Sequence, residues 1–298
     1  MRQGALLSVG LALLLAPPAR AGRFPPRILV LRDGAKTEIH SEAELERQPS
    51  SDEEMTVFVL DTAGDQGFRQ DLKLYERRLL SPRDYPTGTS DRLRVLVEAD
   101  DPETFFGGVQ RIERLGRIHL LFIYSHMGSG TVAMNGKYLE VASLQNLLDP
   151  RRLAGQARIV FAGCRFGAWP DGLHALEYLG YRWLERSGGS LGAFDQISYD
   201  DQDSPVGTSP AAQAPLTPYP NRWDQTGWLR ADDFEKYFVR LSIPRPGAPA
   251  VFELGGASRV ALPAGRRDCA RGRSYRDWLN CIRRPSLRPK SLEPGAAL

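Results

Sequence analysis

The chain predicts an α/β fold with a mostly parallel central sheet flanked by helices, followed by a small C-terminal appendage closed by a disulfide. Three observations carry that expectation. Short apolar, β-branched runs alternate with helix-like stretches along the chain. Two of the runs, Ile118 to Tyr124 and Ala157 to Ala162, are continuous rather than alternating, the pattern of strands covered on both faces. Two of the three cysteines, Cys269 and Cys281, lie close together in a polar, Arg-rich tail, where a small disulfide loop compensates for a thin core.

The first 21 residues precede the fold. Arg2 is followed by an uncharged apolar run, Gly4 to Ala16, then Pro17-Pro18 and a small-residue stop at Ala19-Arg20-Ala21, which is the order of a signal peptide. That run is shorter than the ~20 apolar residues a spanning helix needs, and no second one follows. The expectation is a periplasmic or secreted product without a membrane span, its mature chain starting near Gly22. Residues 22–204 are read as the main domain, and residues 205–298 as a Pro-rich loop and C-terminal extension packed on it.

Arg27 to Leu31 is the first predicted strand, and Met55 to Asp61 and Leu93 to Glu98 are the next two, with a helix over 69–80 between them. Asp101-Pro102-Glu103 opens a helix to Leu115 that carries Phe105, Val109 and Ile112 at helical spacing. After the strand at Ile118 to Tyr124 come a hairpin turn at Asn135-Gly136, an amphipathic helix over 144–153 and the strand at Ala157 to Ala162. A helix from Asp171 to Glu185 and a strand from Ser190 to Phe194 then complete the sheet. Residues 200–221 contain five prolines and little periodicity, a long loop. Beyond it the pattern predicts a helix over 232–241, a strand pair turning at Gly255-Gly256, and a last helix from Tyr275 to Arg283.

A formal charge of +3, from 39 basic and 36 acidic side chains, gives no ground for a nucleic-acid partner. The basic excess is local: Arg266, Arg267, Arg271, Arg273, Arg276, Arg283, Arg284 and Arg288 crowd the C-terminus, and read as a solvated or envelope-contacting tail.

Pairing Cys269 with Cys281 leaves Cys164, alone at the end of an apolar strand. Composition alone makes it a buried, inert thiol. Its position suggests chemistry as well. In open α/β sheets reacting groups collect beyond the carboxyl ends of the strands, and His126 and Cys164 each follow a buried strand by one or two residues. If those strands are neighbours, a thiol and an imidazole emerge side by side, which a thiolate nucleophile requires. Gly128 and Gly130 follow the histidine and Gly163 and Gly167 bracket the cysteine. They serve either as turn residues or to leave amide hydrogens open to a developing oxyanion.

Together IHLLFIYSHMG and ARIVFAGCRFG, with His126 and Cys164 38 positions apart, resemble the two strand-end motifs of the caspase-like cysteine peptidases, the clan of caspases, metacaspases, clostripain and gingipains. The resemblance is closest to caspase-like domains of bacterial surface proteins and covers about a third of the chain, Leu93 to Gln196. It implies a three-layer caspase-like sandwich and a peptide or protein substrate. His126 would be the general base and acid, Cys164 the nucleophile, Gly128 and Gly163 with the Cys164 amide the oxyanion donors, and Asp195 the substrate-binding acid that selects Arg or Lys before the cut bond. Met127 stands where the family carries the glycine after histidine, and Gly163 replaces its usual alanine before cysteine.

Asp200, Asp201 and Asp203 are either a solvated loop or a calcium site. His40, His119 and His174 read as structural, since no pair has zinc spacing; no metal or cofactor is expected. The function these features predict is peptide hydrolysis outside the cytoplasm. An inactive caspase-like module that binds an envelope or extracellular partner, and a different thiol reaction on the same scaffold, are the alternatives.

Overall fold

Continuous apolar strands call for a core on each face of their sheet, and both cores are present. In the computed structural model residues 22–63, 92–163, 165–194, 238–254, 258–287 and 289 are described. Along the chain they form β1 (Arg27–Arg32), β2 (Ala35–Ile39), α1 (Glu42–Glu46), β3 (Glu54–Asp61), β4 (Leu93–Ala99), α2 (Pro102–Ile112), β5 (Arg117–Tyr124), β6 (His126–Gly128), β7 (Thr131–Met134), β8 (Lys137–Leu139) and α3 (Val141–Leu144). There follow β9 (Leu153–Phe161), α4 (Asp171–Leu184), β10 (Gly189–Phe194), β11 (Phe238–Ile243), β12 (Val251–Leu254), β13 (Ser258–Ala261), α5 (Gly265–Ala270) and α6 (Tyr275–Ile282). The signal-peptide segment, the helix expected over 69–80, the loop over 200–221 with Asp200, Asp201 and Asp203, and residues Cys164, Asp195 and Arg288 lie outside the described residues.

Ten strands make one sheet in the order β13-β12-β11-β10-β9-β5-β3-β4-β1-β2, and β6-β7-β8 make a small second one. The middle of the large sheet, β4-β3-β5-β9-β10, is parallel, while β1, β2 and β11 to β13 join antiparallel. The fold is thus α/β on a mixed sheet, parallel at its centre, with five antiparallel and four parallel strand pairs where a mostly parallel sheet was expected. Within β3, Val57 and Val59 point to one core and Phe58 and Leu60 to the other. The same division runs through β5, with Leu121 and Ile123 opposite Leu120 and Phe122. That split explains why these strands show no polar alternation. Phe105, Val109 and Ile112 of α2 and Leu173, Leu176 and Trp183 of α4 complete the first core. Helix α2 starts where the sequence places it because Asp101 accepts from the Thr104 amide (2.8 Å) and Pro102 occupies its first turn.

Three sequence expectations are corrected. The helix over 144–153 is short α3, a turn, a 3-10 turn at Pro150–Arg152 and the first residue of β9. Leu144, Leu147 and Leu148 are buried as their spacing implies, but Pro150 has no amide to donate and holds Asp149 in extended backbone (φ −82°, ψ 114°), so no helix passes through. Of the helix over 232–241, residues 238–241 belong to β11, where Val239, Leu241 and Ile243 enter the core at period two. Nor does β10 complete the sheet, since β11, β12 and β13 continue it.

At the C-terminus Cys269 and Cys281 are bonded, linking α5 to α6 across 12 positions. A loop of that size stabilises the folded chain by about 3 kcal/mol. Arg266, expected in a solvated tail, is 4% exposed, because its guanidinium forks onto the Glu177 carboxylate of α4 (Nε to Oε1 2.7 Å). Trp278, Cys281 and Ile282 enter the first core.

Candidate active site

Taken in chain order, the five parallel strands β3, β4, β5, β9 and β10 sit in the spatial order 2-1-3-4-5. The chain steps from β3 to one side and then crosses to the other, and a doubly wound sheet of this order opens a crevice between the carboxyl ends of its first and third strands. Those ends are Asp61 on β3 and Ser125-His126 after β5.

Asp61 is 2% exposed. Ser125 Oγ lies 2.8 Å from its Oδ2 and 2.7 Å from the Ala133 carbonyl, so one hydroxyl proton serves two acceptors, and the Ala63 amide donates to Oδ1 (2.9 Å). A buried carboxylate must be hydrogen-bonded; here those bonds tie the end of β3 to the residue before the histidine. Sequence reasoning missed both Asp61 and Ser125, although an acid closing an otherwise apolar strand was the available signal.

His126 is exposed and begins β6, a strand that the sequence did not predict. Pairing of His126 with Ala133 and of Ala133 with Tyr138 places these three residues in one row across β6, β7 and β8. Met127, Val132 and Leu139 form the neighbouring row on the opposite, buried face. Gly128 pairs with Thr131 and closes the two-residue turn at Ser129-Gly130.

Strand β9 runs parallel beside β5, and the Ala162 amide donates to the Ile123 carbonyl (2.8 Å). Next comes Gly163, where a Cβ would stand 2.3 Å from the Ser125 carbonyl oxygen and 2.5 Å from Met127 Cγ. Only glycine allows that approach. Beyond Cys164, Arg165 has a left-handed backbone (φ 56°), and the loop is bonded on both sides. Phe166 and Ala168 carbonyls accept from the Gly130 amide (3.0 Å) and from Ser129 Oγ (2.9 Å), and the Gly167 amide donates to the Phe194 carbonyl at the end of β10 (2.8 Å). The structure therefore brings together the residues flanking both motifs: Ser125, Met127, Ser129 and Gly130 on one side, Gly163, Phe166 and Ala168 on the other. Cys164 and Asp195 follow the described Gly163 and Phe194 in sequence.

The amino ends of the same strands differ. There a shallow cleft of about 530 Å³ is lined by Ser50, Ser51, Asp52, Glu113, Arg114 and Arg152. Arg152 donates to the Glu113 carbonyl (2.7 Å), Ser51 to the Leu115 carbonyl (2.6 Å), and the Glu113 carboxyl accepts from the Asp149 amide (2.8 Å). Burial pushes the Glu113 carboxyl up to about 8, with the backbone bond to Asp149 opposing it.

The other histidines are engaged structurally. His119 Nδ1 lies 3.1 Å from Glu54 Oε2, His40 Nδ1 lies 3.2 Å from the Pro26 carbonyl, and His174 packs edge-on to Trp278 with burial bringing its ring down to about 4. Among the described residues no three His, Cys, Asp or Glu side chains gather as metal ligands. No described helix is long and apolar enough to cross a membrane.

Fold and site together define, among the described residues, an α/β protein with a mixed ten-stranded sheet, a C-terminal disulfide and a histidine just past the carboxyl end of β5. No protein-family model matches the chain, and no curated protein or solved structure is significantly similar to it.

Proposed function

We propose that the chain is an exported cysteine peptidase of caspase-like mechanism, with Cys164 as nucleophile and His126 as its base. The observation that carries this reading is the meeting of the two strand ends, where the Gly163 backbone lies so close to the Ser125 carbonyl that no side chain fits between them. Cys164 is one residue from the first and His126 one residue from the second. The Cys269–Cys281 bond supports both halves of the proposal. It suits an oxidising compartment, and it leaves Cys164 as the third cysteine.

In this reaction His126 takes the thiol proton and the thiolate attacks the substrate carbonyl. Amide hydrogens at Gly163 and Cys164, with that of Gly128, stabilise the oxyanion. The imidazolium then gives its proton to the leaving amine as the C–N bond breaks, leaving a thioester. Water, deprotonated by His126, displaces the thiol and releases the carboxylic acid. Asp195 supplies the negative charge that selects Arg or Lys before the cut bond. The binding-module alternative rests on the long Pro-rich loop, the altered His-Met-Gly motif and the basic tail, and of that tail Arg266 and Arg271 are tied to Glu177 and Glu185 of the main fold.

The test is labelling of the mature protein by a peptidyl electrophile carrying Arg or Lys. Wild type should be modified at one site and Cys164→Ala should not. Equal labelling of both proteins would rule out the assignment.

A further inference from the structure

We propose that Tyr138 is a specificity-determining residue of this site, receiving an apolar or aromatic side chain on the leaving-group side of a peptide substrate; this rests on the peptidase reading above. Among the described residues only Tyr138 and Trp169 are large hydrophobics left exposed, at 74% and 46%. Tyr138 belongs to the same cross-strand row as His126, with Ala133 between them. In an antiparallel sheet, residues paired in this way project from one face. The row is therefore an imidazole and a phenol standing on either side of a methyl group, a slot two inter-strand steps, about 10 Å, wide.

The rest of that face is low, and Glu140, exposed and in extended backbone just past β8, stands at its end. Gly128 and Thr131 form its next row, whereas Lys137 pairs with buried Met134 and so belongs to the opposite face. The Glu140 carboxylate disfavours an acidic side chain there. An aromatic or branched apolar one would gain contact with the Tyr138 ring.

The histidine gives this slot its direction. The imidazolium protonates the departing amine, so the chain beyond the cut bond starts beside His126. An extended peptide advances ~3.3 Å per residue. Crossing Ala133 toward Tyr138 takes about three residues, which puts the third leaving-side residue against the phenol ring.

Two measurements on the full mature chain test this. The first is binding, by fluorescence polarisation, of a peptide with a free amine and phenylalanine at its third position, labelled at its carboxyl end, to Cys164→Ala protein. Adding Tyr138→Ala should weaken binding by about 10-fold, the size of a lost ring contact, and Tyr138→Phe should restore it. The second is turnover by the Cys164-intact chain of peptides with phenylalanine or aspartate at that position. The preference for phenylalanine, expressed in KM, should collapse in Tyr138→Ala. The proposal is overturned if the labelled peptide does not bind, if Tyr138→Ala binds it as well as its parent does, or if Tyr138→Phe is as weak as Tyr138→Ala. Binding that depends on Tyr138 without turnover of any peptide keeps the slot and removes the peptidase reading.

Discussion

The two ends of the parallel strands use their polar groups differently. At the amino ends, Arg114, Arg152 and Ser51 donate to backbone carbonyls of residues 45, 46, 113, 115 and 116, and Glu113 accepts a backbone amide. Every one of these bonds ties one loop or helix end to another at that edge. At the carboxyl ends, loop closure is achieved by backbone amides, small residues and two hydroxyls, Ser125 and Ser129. His126, Tyr138 and Arg165 are long side chains exposed at this end. The described cleft is at the amino ends, whereas the proposed chemistry is at the other end. A concavity lined by groups already bonded to the backbone has little to offer a substrate.

This contrast predicts that carboxyl-end changes alter activity and amino-end changes alter stability. The largest effect is expected for His126→Ala, which should lower kcat/KM about 10³- to 10⁴-fold with an unchanged melting temperature. Retained activity would move the base elsewhere. Gly163→Ala comes next and should cross the division. Its methyl would collide with the Ser125 carbonyl and Met127, so it should cost about 1–3 kcal/mol by chemical denaturation and also reduce turnover. A variant that loses neither would show that the two strand ends are not in contact.

The smallest effect on activity is expected at Glu113, which acts on stability alone. A carboxyl raised from 4.5 to about 8 on folding binds a proton in the folded chain that the unfolded chain has lost. Its contribution to stability is therefore full below pH 4.5, falls as pH rises to about 8, and is flat above that. The slope is at most about 1.4 kcal/mol per pH unit. Comparing urea midpoints at several pH values across this window, wild type should fall relative to Glu113→Gln. His174, brought down by burial, titrates identically in both proteins and cancels. Parallel midpoints would mean that Glu113 is ionised in the folded state.

Much of the scaffold was legible because it follows from local rules. Asp101-Pro102 starts α2, and the apolar runs are strands at β1, β3, β4, β5, β9 and β10. The Cys269–Cys281 pairing was legible too, from proximity in a polar tail. Legibility failed where a second rule competed. The leucines before Pro150 have helical spacing, but the proline and its restricted neighbour break the helix. Arg266 looks like one arginine among many until α4 presents Glu177 to it. In the candidate site, the two motifs and their place at strand ends were visible. Asp61, Ser125 and Tyr138 were not, since each acquires meaning only from a residue 5 to 64 positions away.

By itself the sequence determined the five strands of the parallel centre, which cysteine is left over, and that a histidine and that cysteine each end an apolar strand. These depend on side-chain type and spacing within a few residues. Tertiary structure alone decided that β5 and β9 are neighbours, that β3 lies on the far side of β5 so that Asp61 meets Ser125, and that the histidine opens a small two-faced sheet. Strand order and register depend on burying apolar faces over long stretches of chain, a balance no local window contains.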